Sequence, residues 1–364
     1  MRRVVLPLLL ALTLVAVSCQ PRTGAAPTAR APADSPPAEP VYDELAVARF
    51  YQGKTVRFIV GFAPGGGFDT YTRTIARHFG KHIPGNPAVI VDNMAGGGSL
   101  TAANYMYNAA RPDGLTVGNW IGSLALSQAL GGEGIEFDAR KFRFLGVPTP
   151  DSVACAVRKE SGFKAPSDSI NSPQPMILGG VAPGTVTDDL PKLLVAVLGA
   201  NIKLVSGYSG TATIRQAADG GEVHGGCWTW ESIKVTSRAA LEAGDVLMIG
   251  QAAPQKLAEL PGVEHVLDLV KTEEDRQLFR VGVVLPSQIT RPYSVHPDTP
   301  PDRLRALRQA FRAALADPEF VEEAEKARLD INPISGEEVE RIVREMFEVP
   351  ESVKARLRTI LVTS

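Results

Sequence analysis

Apolar positions in the first third of the chain fall into short runs that end at glycine. Val56, Phe58, Ile59, Val60 and Phe62 make the first run, which stops at Pro64. Gly65, Gly66 and Gly67 follow, and from Asp69 the spacing turns helical through Ile75 to Phe79. This pattern predicts a strand, a glycine loop and a helix. A second copy follows: Ala88–Asn93 as the strand, Gly96, Gly97 and Gly98 as the loop, and Ser99–Ala110 as the helix. Asp113-Gly114 marks a turn before a third strand, Leu115–Trp120. Ser123 is then placed to cap a helix over Leu124–Leu130. Alternation of this kind implies a mostly parallel sheet covered on both faces.

The chain becomes proline-rich around Leu145–Pro150, where a crossing between two domains is expected. Ser152–Arg158 and Met176–Val181 predict strands of a second unit. Thr187 can cap the next helix, with Asp188 and Asp189 in its first turn and Leu190, Leu193, Leu194 and Val197 on its apolar face. Ile202–Val205 is a further strand, and GYSGTATI starts a helix at Gly210 or Thr211. Glu222–Trp230 predicts a strand running into a loop, and Asp245–Gly250 another strand. Beyond Val284 the chain is expected to return to the first unit. Pro301 at a first helical position and Ser335 with Glu338 open two helices that look structural.

The start of the chain is different in kind. Arg2 and Arg3 precede an apolar stretch, Val4–Val17, too short to span a membrane stably, and then Ser18 and Cys19. Ala16, Val17 and Ser18 before Cys19 resemble the bacterial lipobox, which implies cleavage and lipidation at Cys19; an ordinary secretory signal is the alternative. Residues 20 to 40 hold six Pro and six Ala without apolar periodicity, the composition of a disordered tether. Tyr42–Phe50 is compatible with a short helix leading to the first strand. The expected organisation is therefore a signal peptide and anchor (1–19), tether and leader (20–50), the first part of lobe 1 (51–150), lobe 2 (151–289), and the return to lobe 1 with the terminal helices (290–364).

The chain has 364 residues and is 44% hydrophobic, enough to bury a large core, and its 38 basic and 40 acidic side chains leave no basic stripe for nucleic acid. Cys155 and Cys227 could pair in an oxidising compartment or stay as two buried thiols; their spacing does not decide, and the free thiols are the favoured expectation. No metal or cofactor is expected, since there is no C-x-x-C and the five histidines are scattered. His78 and His82 fit a solvated helix end better than a metal pair.

Two glycine loops at consecutive strand ends predict one pocket between them. Such loops direct backbone N–H groups and a helix dipole at an anion. Phosphate fits poorly: Phe68 and Asp69 follow Gly67 where a P-loop needs Lys and Ser or Thr, and neither loop has the third glycine of a dinucleotide site. A carboxylate or a neutral polar ligand fits better beside Asp69. No enzyme signature emerges: Gly210 directly follows Ser209, which is not the spacing of a nucleophile elbow.

VGFAPGGGFDTYTR and VDNMAGGGSLTAANYMYNAARPDGLTVG resemble the two leading motifs of the substrate-binding proteins of tripartite tricarboxylate transporters, the Bug or TctC family. Phe62, Ala63, Pro64, Gly65, Gly66 and Asp69 meet the first motif; Asn93 and Gly96 to Gly98 meet the second, with a triple glycine where the family commonly has Gly-Ala-Gly; Pro112, Asp113 and Gly114 precede the third strand. The likeness continues through GYSGTATIRQAADGGEVHGGCWTW and RPYSVHPDTPPDRLRALRQAF. It implies an α/β, two-lobed periplasmic-binding-protein fold of the Venus-flytrap kind (type II), each lobe a mixed, mostly parallel sheet flanked by helices. It further implies a periplasmic receptor for a small carboxylate-bearing organic acid, with permease subunits of the transporter as its partners; together with the lipobox at Cys19, the expectation is a lipid-anchored monomer. A ligand sensor signalling to a membrane kinase is the alternative, and an enzyme of the same fold a more distant one.

The ligand-contacting positions this implies are Phe62, Ala63, Pro64, Gly65, Gly66, Gly67 and Asp69 from the first loop, and Ala95, Gly96, Gly97, Gly98 and Ser99 from the second. Ser123, Thr185, Thr187, Tyr208, Thr211 and Trp228 complete the set. Each has a plainer explanation: the hydroxyls are placed as helix caps, Trp228 as a packed strand residue, and Asp69 as a first-turn acid that holds its own loop. Trp228 and Trp230 beside Cys227 belong to only part of the family.

Overall fold

The computed structural model describes residues 43–362; the leader with Cys19 and the Pro/Ala-rich stretch lie outside them. The chain begins α1 (Glu44–Tyr51), β1 (Thr55–Val60), α2 (Gly67–Phe79), β2 (Ala88–Asn93), α3 (Leu100–Asn108), β3 (Thr116–Asn119), α4 (Leu124–Ala129) and β4 (Arg143–Val147). It continues β5 (Val153–Arg158), β6 (Met176–Gly179), α5 (Val186–Leu198), β7 (Ile202–Val205), α6 (Thr211–Asp219), β8 (Gly225–Thr229), α7 (Trp230–Thr236), α8 (Arg238–Ala243) and β9 (Val246–Ala252). Then come β10 (Glu264–His265), α9 (Val266–Leu269), α10 (Glu273–Phe279) and α11 (Leu285–Ser287). The last part is β11 (Tyr293–Val295), α12 (Pro301–Leu315), α13 (Pro318–Ala327), β12 (Ile334–Ser335), α14 (Gly336–Glu348) and α15 (Glu351–Leu361).

The strands form two sheets. The first has the order β12-β4-β11-β3-β1-β2 and the second β10-β9-β5-β8-β6-β7. In the first, β1 pairs in parallel with β2 and β3, while β11 runs antiparallel to β3 and β4. In the second, β6 is parallel to β7 and β8, and β5 is antiparallel to β8 and β9. The period-2 alternation of a strand distributes β1 between two cores. Phe58 joins Phe79, Tyr293 and Phe311 on one face of the first sheet, and Ile59 joins Trp120, Phe142 and Phe144 on the other. Both faces are therefore buried, which is why the strand reads as a continuous apolar run.

Two crossovers join the lobes, one between β4 and β5 and one between α11 and β11. The backbone N–H of Asp151 in the first donates to the carbonyl of Ser287 at the start of the second at 3.0 Å. The final helix α15 packs back on α5 and α10 of the second lobe.

Four sequence expectations change here. The short helix expected over Tyr42–Phe50 forms as α1, capped by Asp43 and anchored by the buried Val47 and Tyr51; what changes is its assignment to a leader ending at residue 50. The Tyr51 hydroxyl donates to the Gly114 carbonyl at 3.0 Å, so this stretch belongs to the folded body. Strand β8 runs into helix α7 at Trp230 with no loop between them. Thr185, not Thr187, holds the N-cap position of α5. Finally, Cys155 and Cys227 form a disulfide rather than two thiols. They lie directly opposite on the antiparallel strands β5 and β8, and cross-strand neighbours approach closely enough to bridge. Chain spacing alone cannot reveal that pairing.

Candidate functional site

The loop after β1 is held from within. The Asp69 carboxylate accepts from the Gly65 N–H at 3.0 Å, from Arg73 Nε at 2.9 Å and from Asn93 Nδ2 at 3.0 Å. Asn93 also donates to the Phe62 carbonyl at 2.8 Å and accepts from Arg73 Nη2 at 2.8 Å. Burial pushes the Asp69 carboxyl up, but the bonds from Arg73, Gly65 and Asn93 outweigh it and hold it below the usual range. The acid is thus an ionised clamp that fixes the loop and presents the N-terminus of α2.

The second lobe repeats the device. Asp189, in the first turn of α5, accepts from the Gly184 N–H at 3.1 Å. The Thr187 hydroxyl accepts from the Val181 N–H at 3.0 Å and contacts the Thr185 hydroxyl at 2.7 Å. Asp189 is buried, and burial pushes its carboxyl well above the usual range, against the Gly184 N–H and the charge of Lys192.

These loops meet across the cleft. The Ala63 N–H donates to the Ser209 carbonyl at 3.3 Å, Ser123 Oγ to the Gly184 carbonyl at 2.5 Å, and Arg215 Nη2 to the Gly65 carbonyl at 3.1 Å. A Cβ added at Gly67 would lie 2.3 Å from Ser232 Oγ, and one at Gly98 would lie 2.4 Å from Thr185 Cγ2. The lobes are therefore closed on one another, and glycine at these two places is what lets the backbones approach.

Between them lies a cavity of about 40 Å³. The N-terminal turns of α2, α5 and α6 reach it through Gly67 and Phe68, through Val186 and Thr187, and through Thr211. Each such end carries a partial positive charge. Phe62, Ile121, Val181 and Trp228 supply apolar wall, and Thr229, Ser232, Thr290 and Arg291 also line it.

Arg291 lies in the second crossover and is fully buried. Its Nη1 donates to Asp151 Oδ1 at 2.6 Å and its Nη2 to Thr229 Oγ1 at 2.7 Å. The guanidinium stacks over Tyr71, 4.4 Å from the ring centre. Burial works against its charge, yet Asp151, Tyr71 and Glu231 hold it above its ordinary value. Glu231 accepts from the Ser152 N–H at 2.9 Å, and burial together with the charge on Asp151 pushes its carboxyl up to about 8. Burial raises Asp151 as well. The cluster thus holds Arg291 as a cation facing two carboxyls, on Asp151 and Glu231, that burial pushes upward. Among the described residues no group bonds Arg291 Nε, Ser232 Oγ or Trp228 Nε1, although all three are buried. Buried donors are nearly always paired, so three orphans on residues that line this cavity call for an acceptor that comes from outside the chain, since the one unpartnered acceptor beside Arg291, Asp151 Oδ2, belongs to a carboxylate already bonded to it.

Of the positions expected from sequence, Phe62, Ala63, Gly66, Gly67, Thr185, Thr187, Thr211 and Trp228 line this cavity. Pro64, Gly65 and Asp69 shape its loop from behind. Ala95, Gly96, Gly97, Gly98 and Ser99 do not line it. Ser99 is buried and its hydroxyl accepts from the Ile121 N–H at 2.9 Å. Gly97 and Ser123 border a separate cavity of about 260 Å³, which also exposes Glu133 and Asp189 and so offers an anion little. Ser123 spends its hydroxyl across the cleft instead of capping α4. The Tyr208 hydroxyl donates to Glu222 at 2.6 Å on the surface. Sequence reasoning missed Phe68, Ser232, Thr290 and Arg291. One signal was available for Arg291, the only charge between Val281 and Val295. His78, Asp317 and Glu319 cluster as metal ligands might be asked to, but the Lys81 ammonium already sits 2.7 Å from Asp317 and 2.6 Å from Glu319.

The fold has solved counterparts. MatC from Rhodopseudomonas palustris, described with bound malate, is 22% identical and superposes with a TM-score of 0.63 over 83% of this chain and 99% of its own. A second R. palustris protein, described with adipate, is 20% identical with a TM-score of 0.67 over 85% of this chain and 98% of its own. The periplasmic binding protein BugD is 17% identical with a TM-score of 0.64, covering 86% and 99% of the two chains. At these identities the likeness establishes the two-lobed α/β fold. No curated protein matches the chain by sequence. Residues 72–353 match the family described as the tripartite tricarboxylate transporter family receptor, and with the motifs and the cleft on which they converge, the chain belongs to that family.

Proposed function

We propose that the chain is an extracytoplasmic solute receptor. It holds a small carboxylate between its lobes and delivers it to the membrane permease of a tripartite tricarboxylate transporter. One observation carries this: Arg291 Nε and Ser232 Oγ, both buried and unpartnered, lie on a cavity where the N-termini of α2, α5 and α6 converge. A carboxylate supplies acceptors for the two donors and a charge favoured by three helix ends. The malate and adipate described for the two structural relatives are ligands of this chemical class.

The ligand bridges the lobes. It touches Gly66, Gly67 and Phe68 on one side and Thr185, Thr211 and Ser232 on the other, so it binds the closed form better than the open one and shifts the balance between them. The protein performs no chemistry on its guest. The carboxyls that could act as acid or base, Asp151 and Glu231, bond to Arg291 and to the Ser152 N–H. Cys19 tethers the receptor to the membrane as a lipidated residue; no helix among the described residues is long and apolar enough to cross one. A broad organic-acid screen by thermal shift and calorimetry tests the assignment. At least one carboxylate should raise the melting temperature and give saturable heat, and a screen without either response overturns it.

A further inference from the structure

The cavity also restricts which carboxylate it takes. Resting on the receptor assignment, we infer that the ligand is a monocarboxylate with a short, largely hydrocarbon body, propionate to isobutyrate in size. Three observations converge on this.

The first is charge. Among the described residues, Arg291 is the only charged side chain that lines the cavity. Asp151 already opposes it at 2.6 Å. One incoming carboxylate is served by Arg291 Nε, Ser232 Oγ and the helix ends. A second would be buried with no cation at hand, and an ion taken out of water without a partner is strongly disfavoured.

The second is the polarity of the walls. The unpartnered donors include those on Arg291 and Ser232. Phe62, Phe68, Ile121, Val181 and Val186 also line the cavity, and none of them carries a side-chain donor or acceptor. The hydroxyls of Thr185, Thr187, Thr229 and Thr290 are engaged already, with the Ala182 carbonyl, Val181 N–H, Arg291 Nη2 and the Ser287 carbonyl, which leaves Thr211 as the hydroxyl at hand for the ligand body. A body rich in hydroxyls would therefore be buried largely unpaired, whereas methyl and methylene groups fit those walls.

The third is size. The enclosed space of about 40 Å³ compares with roughly 10–15 Å³ on the same measure for one water. With the lobes closed as they are, a few non-hydrogen groups fit beyond the head, and a chain of adipate length requires the lobes to part.

Calorimetry on the full chain with propionate, isobutyrate, malate and adipate tests the inference. Propionate or isobutyrate should bind at least about tenfold tighter than either dicarboxylate. Malate or adipate binding as tightly or more tightly overturns the monocarboxylate assignment while leaving the receptor assignment standing. A chain that binds none of the four but responds to another carboxylate in the broad screen has the same meaning. A chain that binds no carboxylate overturns both. Ser232→Ala locates the head: isobutyrate affinity should fall about tenfold with the unliganded melting temperature unchanged. Undiminished affinity in that variant overturns the placement of the carboxylate at Arg291 and Ser232.

Discussion

A close approach of the two lobes offers the sharpest perturbation. Gly67 opens α2 and faces Ser232 of α7 across the cleft. A Cβ there would sit 2.3 Å from Ser232 Oγ and 2.7 Å from Ser232 Cβ. Ordinary carbon contacts begin near 3.5 Å, so Gly67→Ala requires the lobes to separate by about an ångström where the ligand is gripped. Gly67 is helical, so alanine brings no backbone strain of its own. Within lobe 1 the substitution should be neutral or mildly stabilising; the clash arises only on closure. Overpacking of this kind costs about 1–3 kcal/mol, which predicts a loss of ligand affinity of about 5- to 150-fold. The assay is calorimetric titration of wild type and Gly67→Ala with the best ligand, alongside thermal melts without ligand. Ser232→Gly removes both clashing atoms. The double variant should therefore bind as Ser232→Gly does alone, a coupling that a double-mutant cycle reads directly. Wild-type affinity in Gly67→Ala, or a loss that Ser232→Gly leaves uncorrected, would refute the closed-cleft geometry.

Glu231 should make stability depend on pH. Its folded carboxyl titrates near 8, against about 4.3 in an unfolded chain. Between those values the native state holds a proton that the unfolded state has lost, so this group's contribution falls as pH rises, by up to about 1.4 kcal/mol per pH unit. Glu231→Gln should flatten the urea-derived stability profile across that window, and a profile unchanged by the substitution argues against the buried-acid assignment. Asp69→Ala removes the acceptor for the Gly65 N–H, Arg73 and Asn93; it should lower ligand affinity at least fivefold through a loosened loop, while Asp69→Asn recovers part of the loss. Equal affinity in all three proteins would reduce Asp69 to an ordinary first-turn acid. Replacing Cys155 and Cys227 by alanine opens a covalent loop of 72 residues and should reduce unfolding free energy by about 2–4 kcal/mol; identical urea midpoints with and without the bridge would contradict it.

The local elements were legible because each has a local cause. An apolar run ending at Gly65–Gly67 specifies a strand and a turn wherever it occurs, and Ser335 with Glu338 specifies a helix start, bonded as expected at 3.3 Å. The first glycine loop reached the cavity because such a loop presents its backbone at a strand end. What escaped the sequence depends on partners distant in the chain. Asp69 is a clamp because Asn93, from the next strand, arrives beside it. The second glycine loop obeys the same local rule as the first, yet Gly98 packs against Thr185 of the other lobe and leaves the cavity to the first loop. Arg291 and Asp151 are 140 positions apart and meet only because the two crossovers run side by side. Ser232 could not be foreseen for a related reason: β8 enters α7 without a loop, so the usual punctuation of a site is missing.

A crystal structure of the chain grown with isobutyrate measures the central claim most directly. The account predicts the carboxylate between the lobes, with oxygens within about 3 Å of Arg291 Nε and Ser232 Oγ and the methyl groups against Phe62, Phe68 and Val186. A carboxylate found instead in the cavity beside Glu133 and Asp189 would contradict it.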